Sequence, residues 1–388
     1  MDTLTIEQTS AVLNEVLAQV SGKKNIGVVT PANFVSVATT ALKADFDVTL
    51  KAISQVLSRT IFSVRPYERK FKGLEADAIR FGNHVRKINI CDGDFNDDQR
   101  YDLPDGQSVD MYKVNKLKVL QTNFYGAETF ERYYTVYRDQ LDIAFSSMEE
   151  FGRFLAAMAQ NISDQIEQAH ESIARVTVAN FITGKIKGDA DNVVHLITKY
   201  NDVTGLALTA DTVKQPDNYA PFIKWVYAYI GTLSNLLTER TTQYHINVTD
   251  HDIHRHTPKS KQTLYLYSPE YMNIEASVLS SVFNPSYLKL AYTELVNFWQ
   301  SIKTPMGIEN KPTYMLPDGT VTTEVEAVTQ SNVFGVLCDV EAMGYTTINQ
   351  WAQPTPFNAA GGYTNMFFHF TDRYWNDFTE NGIVLLLD

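Results

Sequence analysis

Residues 147–183 read SMEEFGRFLAAMAQNISDQIEQAHESIARVTVANFIT, and this run decides the fold. Ser147 precedes Glu150 by three positions, the spacing at which a hydroxyl caps the free N–H groups of a first helical turn. Phe151, Phe154, Leu155, Met158, Ile162, Ile166, Ala169, Ile173 and Val176 then recur at steps of three and four, which lines one face of a helix. No proline or glycine interrupts the run between Gly152 and Gly184. From Ser147 to Phe181 such a helix extends about 50 Å, against about three turns for an average globular helix. The opposite face carries Arg153, Gln160, Asp164, Glu167, Gln168 and Glu171. A helix this long with one apolar face needs a broad surface to lie on, and a sheet-bearing domain supplies it better than a bundle. Phe151, Phe154, Leu155, Met158, Ile162, Ile166 and Ile173 are its expected core residues.

Upstream, the period shortens towards two between Ile61 and Phe145. Val85–Ile90, the neighbourhood of Val119 and the neighbourhood of Thr135 read as strand, and Leu141, Ile143 and Phe145 alternate with Gln140, Asp142 and Ala144 as a further strand. Between them, residues 91–110 are polar and turn-rich, with Pro104 and two Asp-Gly steps. Residues 83–137 therefore read as a long two-stranded excursion, and an isolated hairpin is marginal in water, so it should lie on another surface. Before it come helical pieces over residues 4–20, from Thr30-Pro31 onward and over 47–58, without a core of their own.

Downstream, residues 221–237 read as one helix, 261–267 as a buried strand, 268–285 as another helix, and 365–370 and 383–387 as closing strands. The length of 388 residues admits two or three domains, yet no linker separates them and later segments return to earlier ones. An apolar share of 44% and a charged share of 20% are ordinary for a globular chain. The net charge of −12 argues against a protein that wraps nucleic acid, which needs cations to neutralise phosphates. Cys91 and Cys338 have neither metal-type nor disulfide-framework spacing and fit a reducing compartment. No leader peptide and no membrane span are expected.

Candidate chemistry is sparse. Residues 244–256 hold His245, His251, His254 and His256, imidazoles suited to zinc. His251 and His254 share a helix face, but Arg255 sits beside them and would oppose a dication; the stretch is expected to be a solvated polar loop. Asp92-Gly93-Asp94-Phe95-Asn96 starts like a calcium loop and then fails, with Asp97 where glycine belongs and Leu103 where glutamate belongs. No phosphate loop, dinucleotide fingerprint or nucleophile elbow occurs. No catalytic residue, cofactor or metal is therefore expected. The chain is basic around Arg86 and Lys87 and acidic at Asp94, Asp97 and Asp98, which suggests a head-to-tail charge match between copies.

Two stretches carry a resemblance. Residues 53–67, ISQVLSRTIFSVRPY, and residues 277–285, SVLSSVFNP, are similar to major capsid proteins of small short-tailed, picovirus-like bacteriophages. The element order also resembles the Hong Kong 97-type capsid fold, an α+β architecture. The resemblance implies a helical N-terminal arm over 1–62 and a peripheral domain from 63–82 and 138–189 with the long helix as its spine. It further implies an extended loop over 83–137 lying on a neighbouring subunit, a mixed axial domain over 190–330, and returning peripheral strands over 331–388. The implied function is a self-assembling shell protein of an icosahedral head enclosing phage DNA, without enzymatic activity. Its partners would be copies of itself in pentamers and hexamers, with scaffolding, portal or head-fibre proteins besides, non-specific contact with packaged double-stranded DNA, and no membrane. It would assemble in the host cytoplasm and reside in the virion. A portal or tail protein, or a metal-dependent hydrolase centred on His251 and His254, are the alternatives.

Overall fold

The computed structural model describes residues 67, 69–76, 85–91, 103–112, 114, 116, 118–144, 147–248, 253–277 and 292–388, with Asn14, Asn33, Val35 and Ser36 besides. The expected helical pieces before residue 60 are otherwise outside this set, as are Asp94, Asp97, Asp98, His251 and the continuation of the 268–285 helix past Ser277.

The long helix forms as read. Helix α2 (Met148–Gly188) follows a short helix α1 (Arg138–Ala144). The Ser147 hydroxyl accepts the Glu150 N–H at 3.1 Å, satisfying one of the four free donors of the first turn. The helix does not stop before Gly184 but passes through it for another turn, with Lys185 and Lys187 in the last turn, where cations suit the helix dipole. Gly184 is there for room: a Cβ at this position would lie 2.5 Å from Cζ of Phe378. The strand expected over 141–145 is instead the end of α1, through Ala144.

Two sheets share α2. The first is mixed and five-stranded, in the order β4 (Val193–His195), β14 (Gly382–Leu386), β11 (Val333–Asp339), β5 (Gln262–Tyr267), β6 (Tyr292–Val296). β11 runs antiparallel to both its neighbours, and the outer pairs are parallel. One face of this sheet, with Tyr265, Val336 and Val384, packs on the C-terminal half of α2 through Ile173, Val178, Phe181 and Ile182. The other face, with Leu264, Phe334, Leu337 and Leu385, packs on α3 (Leu196–Thr204), α4 (Pro216–Leu236) and α5 (Ser268–Ser277). Coverage on both faces explains why β11 and β14 are buried at every position and read as continuous apolar runs.

The second sheet is long, antiparallel and three-stranded, in the order β12 (Met343–Pro354), β13 (Tyr363–Asn376), β3 (Ala127–Tyr137). Its inner face meets the middle of α2 around a groove of about 340 Å³ lined by Phe130, Tyr134, Ile162, Ile166, Phe368 and Phe370. The expected helix core is therefore only partly a core. Phe151 and Ile173 are buried, while Phe154, Met158, Ile162 and Ile166 are half-buried, because the sheet stands off the helix at this groove. The side chain of Leu155 lies outside the described set.

Residues 331–388 were expected to return together to the layer of the long helix. They divide between the sheets: β12 and β13 build the long sheet, while β11 and β14 lie inside the five-stranded one, beside strands from residues 190–330. The excursion over 83–137 also divides. β1 (Val85–Ile90) and β2 (Val119–Phe124) pair only with each other, whereas β3 pairs along its whole length with β13. Two short ribbons, β7 (Ile308–Asn310) with β10 (Val328–Gln330) and β8 (Thr313–Met315) with β9 (Val321–Thr323), complete the described strands.

Candidate assembly surfaces

The polar face of α2 binds a strap. Residues 67–76 cross the helix, and their backbone N–H groups donate to a row of carboxylates. Tyr67 donates to Asp164 at 2.9 Å, Arg69 to Glu167 at 3.4 Å and Lys70 to Glu171 at 2.7 Å. The acceptors sit at i, i+3 and i+7, so one helix face presents all three. The Arg69 guanidinium bonds Glu167 at 3.0 Å, pairs with Glu75, and donates to Nδ1 of His170 at 2.8 Å. With Nδ1 accepting, the His170 proton is on Nε2, which faces the buried Asp372 at 3.3 Å. Arg175 holds the next turn, pairing with Glu171 at 2.5 Å and covering the rings of Phe71 and Phe298. The strap ends on β12, where Ala76 N–H donates to the Tyr345 carbonyl at 2.9 Å.

One carboxylate beneath the strap is poorly placed for charge. Glu294 on β6 accepts the Gly73 N–H, and the fit is close enough that a Cβ on Gly73 would lie 2.4 Å from Oε1. Its other oxygen is buried without a hydrogen-bond partner. Burial, opposed only by the Gly73 bond, raises its pKa from 4.5 to about 7.

The β1–β2 ribbon docks one face on its own chain and bares the other. In its antiparallel register, Lys87 opposes Thr122 and Asn89 opposes Leu120 on one face; Ile88 opposes Gln121 and Ile90 opposes Val119 on the other. The first face is turned inward: Asn89 is buried and Lys87 half-buried. The second is turned outward, with Ile88, Ile90 and Val119 exposed by 53%, 63% and 50%. The inward face also carries Val85, Leu120 and Phe124, all half-buried, so both faces are mixed, and the bare Ile88, Ile90 and Val119 are a surface to offer another molecule.

The inward face meets the turn between β13 and β14. Lys87 Nζ lies 3.0 Å from Asp377, bonds Glu380, and lies 3.6 Å from Glu341. Burial alone lowers the pKa of this ammonium, but Asp377 and Glu380 outweigh it and hold Lys87 above its ordinary value. Burial raises the pKa of Glu380, against the pull of Lys87 and Arg255. Arg255 links the ribbon to the same turn, donating to Asn89 at 2.9 Å and pairing with Glu380 at 3.0 Å. Lys87, expected to meet the acidic residues of a neighbouring copy, is thus engaged within its own chain; Arg86 is exposed.

Exposed apolar side chains continue beyond the ribbon, at Val109, Met111 (79% exposed), Tyr112 (80%) and Val114. The outer face of the long sheet carries aromatics. Trp351 stacks on His369 at 4.0 Å, and Tyr133 lies 5.6 Å from Phe367.

The histidine stretch is not a solvated loop throughout. His245 is buried, its Nε2 bonding the Ile253 carbonyl at 2.7 Å, and burial lowers its pKa. Ile246, Val248, Ile253 and Thr257 are buried with it, whereas His254 and His256 are exposed. Among the described residues no group of three or more His, Cys, Asp or Glu is arranged to hold a metal, and no helix is long and apolar enough to cross a membrane.

Comparison with known proteins gives these surfaces their context. Two similar solved structures are the capsid of Staphylococcus phage Andhra, at 10% identity over 85% of this chain and 87% of that one with a TM-score of 0.55, and a chain from the structure of the head fiber and inner core protein gp22 of native bacteriophage P68, at 11% identity with the same coverage and TM-score. No curated protein matches the chain. The fold is α+β and of the Hong Kong 97 type found in phage capsids. The family model for the Phi29-like phage major capsid protein matches residues 9–386, which favours a head protein over a portal or tail protein. The chain belongs to that family, the structural proteins that form the phage head.

Proposed function

We propose that this subunit closes an icosahedral shell around phage DNA by clasping its neighbours with the part of residues 83–137 that precedes β3, and that it catalyses no reaction. The observation that supports the clasp is the cluster of bare aliphatic side chains, Ile88, Ile90 and Val119, on the outer face of the β1–β2 ribbon. Completing the burial of these three side chains contributes about 1 kcal/mol each. A closed symmetric shell repeats that gain at every copy. The charge match between Arg86 and the acidic residues Asp94, Asp97 and Asp98 is kept as a rim contact, and Lys87 is left out of it. In this reading α2 and the long sheet form the peripheral domain, with the segments 63–82 and 138–189 at its centre. Residues 190–330 supply most of the axial domain, which meets its copies around the five-fold and six-fold axes. The net charge of −12 fits a wall that touches packaged DNA only non-specifically. Scaffolding, portal and head-fibre proteins are the further partners, and assembly takes place in the host cytoplasm.

The test is Ile88→Asp with Ile90→Asp. Circular dichroism and the melting temperature of the unassembled chain should change little, because both side chains face solvent. Electron microscopy and sedimentation should show closed particles lost. Normal particles from this variant would refute the clasp, and an unfolded chain would place the ribbon's outer face in an intramolecular core.

A further inference from the structure

The turn Asp377–Asn381, DFTEN in sequence, is polar at four of five positions and yet buried at all five. It joins β13 of the long sheet to β14 of the five-stranded sheet. Asp377 shapes it, Oδ1 accepting both the N–H and the hydroxyl of Thr379, at 2.9 and 2.6 Å. This leaves Oδ2 to face Lys87 at 3.0 Å. Arg255 clamps the turn from the other side, through the Thr379 carbonyl at 3.0 Å and Glu380 at 3.0 Å, while reaching Asn89. Asn381 fastens the turn to the interior. Its amide donates to Thr257 at 3.1 Å, Thr257 donates to Asp339 at 2.9 Å, and the Asn381 carbonyl accepts the Asp339 N–H at 2.9 Å.

We propose that the Asp377–Asn381 turn is a positioning hub that sets the direction in which the β1–β2 ribbon leaves its own subunit, with Lys87 as the residue that engages it. Two cations, Lys87 and Arg255, face two buried carboxylates, Asp377 and Glu380. A buried ion pair of this kind adds little net stability, because desolvation offsets attraction, but it tolerates few geometries. That is what a positioning contact requires and a stabilising one does not. The hub also lies at the covalent link between the two sheets, so the ribbon's direction is referred to both of them at once. The inference rests on the clasp reading above for its consequence in assembly, but not for its structural content.

Lys87→Met keeps an unbranched side chain one atom shorter and removes the charge; Lys87→Arg keeps the charge. Amide hydrogen exchange in the unassembled chain reads the ribbon directly. A ribbon released from its docking site is marginal on its own and exchanges freely. In Lys87→Met, amides of residues 85–90 and 119–124 should exchange at least tenfold faster, while those of β11 and β14 stay protected. Closed particles should become fewer and irregular, and Lys87→Arg should restore both properties. Unchanged ribbon protection in Lys87→Met would overturn the hub. Faster exchange in the ribbon with normal particles would uphold the hub and overturn the clasp. Should Lys87→Met fail to fold, Glu380→Gln removes one charge from the same site at constant shape, and unchanged ribbon protection there would be equally fatal.

Discussion

Glu294 gives the chain a stability that falls with rising pH, and Glu294→Gln should remove that slope. The carboxyl sits under the 69–76 strap with one oxygen on the Gly73 N–H and the other buried without a partner. Its pKa is raised from 4.5 to about 7. Below about 4.5 it is protonated both folded and unfolded, and contributes nothing to the pH dependence. Between 4.5 and 7 the unfolded chain releases the proton and the folded chain keeps it, so folding loses free energy as pH rises. Above pH 7 the full penalty is present, about 3 kcal/mol for a displacement of this size. Glutamine keeps the acceptor for Gly73 and never ionises. Urea titration of the unassembled chain, followed by tryptophan fluorescence, is the measurement, since Trp299 is buried in the same core cluster as Phe71 and Leu74 of the strap. With a slope of about 3 kcal/mol per molar or more for a chain of this size, the midpoint of the variant should rise by up to about 1 M at pH 8. At pH 4.5 the two proteins should coincide. An equal gain at both pH values would mean that packing, not ionisation, distinguishes them; no gain at pH 8 would mean that Glu294 carries its charge in the folded state at little cost.

Two further substitutions test the helix. Gly184→Ala should destabilise by about 1–3 kcal/mol in thermal or urea melts, although alanine is the better helix former, because the new Cβ meets the buried Phe378 ring at 2.5 Å; a stabilised variant would show that the ring gives way freely. Ile173→Ala should cost about 2–5 kcal/mol, whereas Ile162→Ala at the groove should cost about 1 kcal/mol, and equal losses would show that the groove closes onto the helix in solution.

What was legible in the sequence was local. Ser147 and Glu150 announce the start of α2, and the apolar residues at helical spacing announce its face, apart from Val176, which is 61% exposed. The buried strand β5 shows as a short run of large apolar residues before Ser268-Pro269. What was not legible depends on partners far along the chain. Asp164, Glu167 and Glu171 look like a solvated face because their partners are backbone N–H groups roughly a hundred positions away, and a backbone donor leaves no mark in a sequence. The ribbon's period of two was correctly read, but a period of two does not say which face turns inward. Val85, Leu120 and Phe124 share the inward face with Lys87, whose partners Asp377 and Glu380 lie almost three hundred residues later, and no local signal marks that face over the one with Ile88 and Ile90. The strand assigned over 141–145 failed for the opposite reason. Alternation at Leu141 and Ile143 is too short a signal to exclude the two-turn helix that Arg138 begins, its N–H held by the Gly362 carbonyl at 2.9 Å.

The position of β14 also bears on when a subunit becomes competent. This strand is made after every other described strand, yet it sits inside its sheet, between β11 and β4. Without residues 382–386, β11 presents an open edge that is apolar up to Asp339, and β4 has no neighbouring strand among the described residues. A nascent chain therefore cannot imitate a finished one, and a fragment lacking these five residues leaves a sticky edge in place of a nearly native building block. Strand order thus makes residues 382–386 a condition for the five-stranded sheet as a whole, and not an addition to its rim.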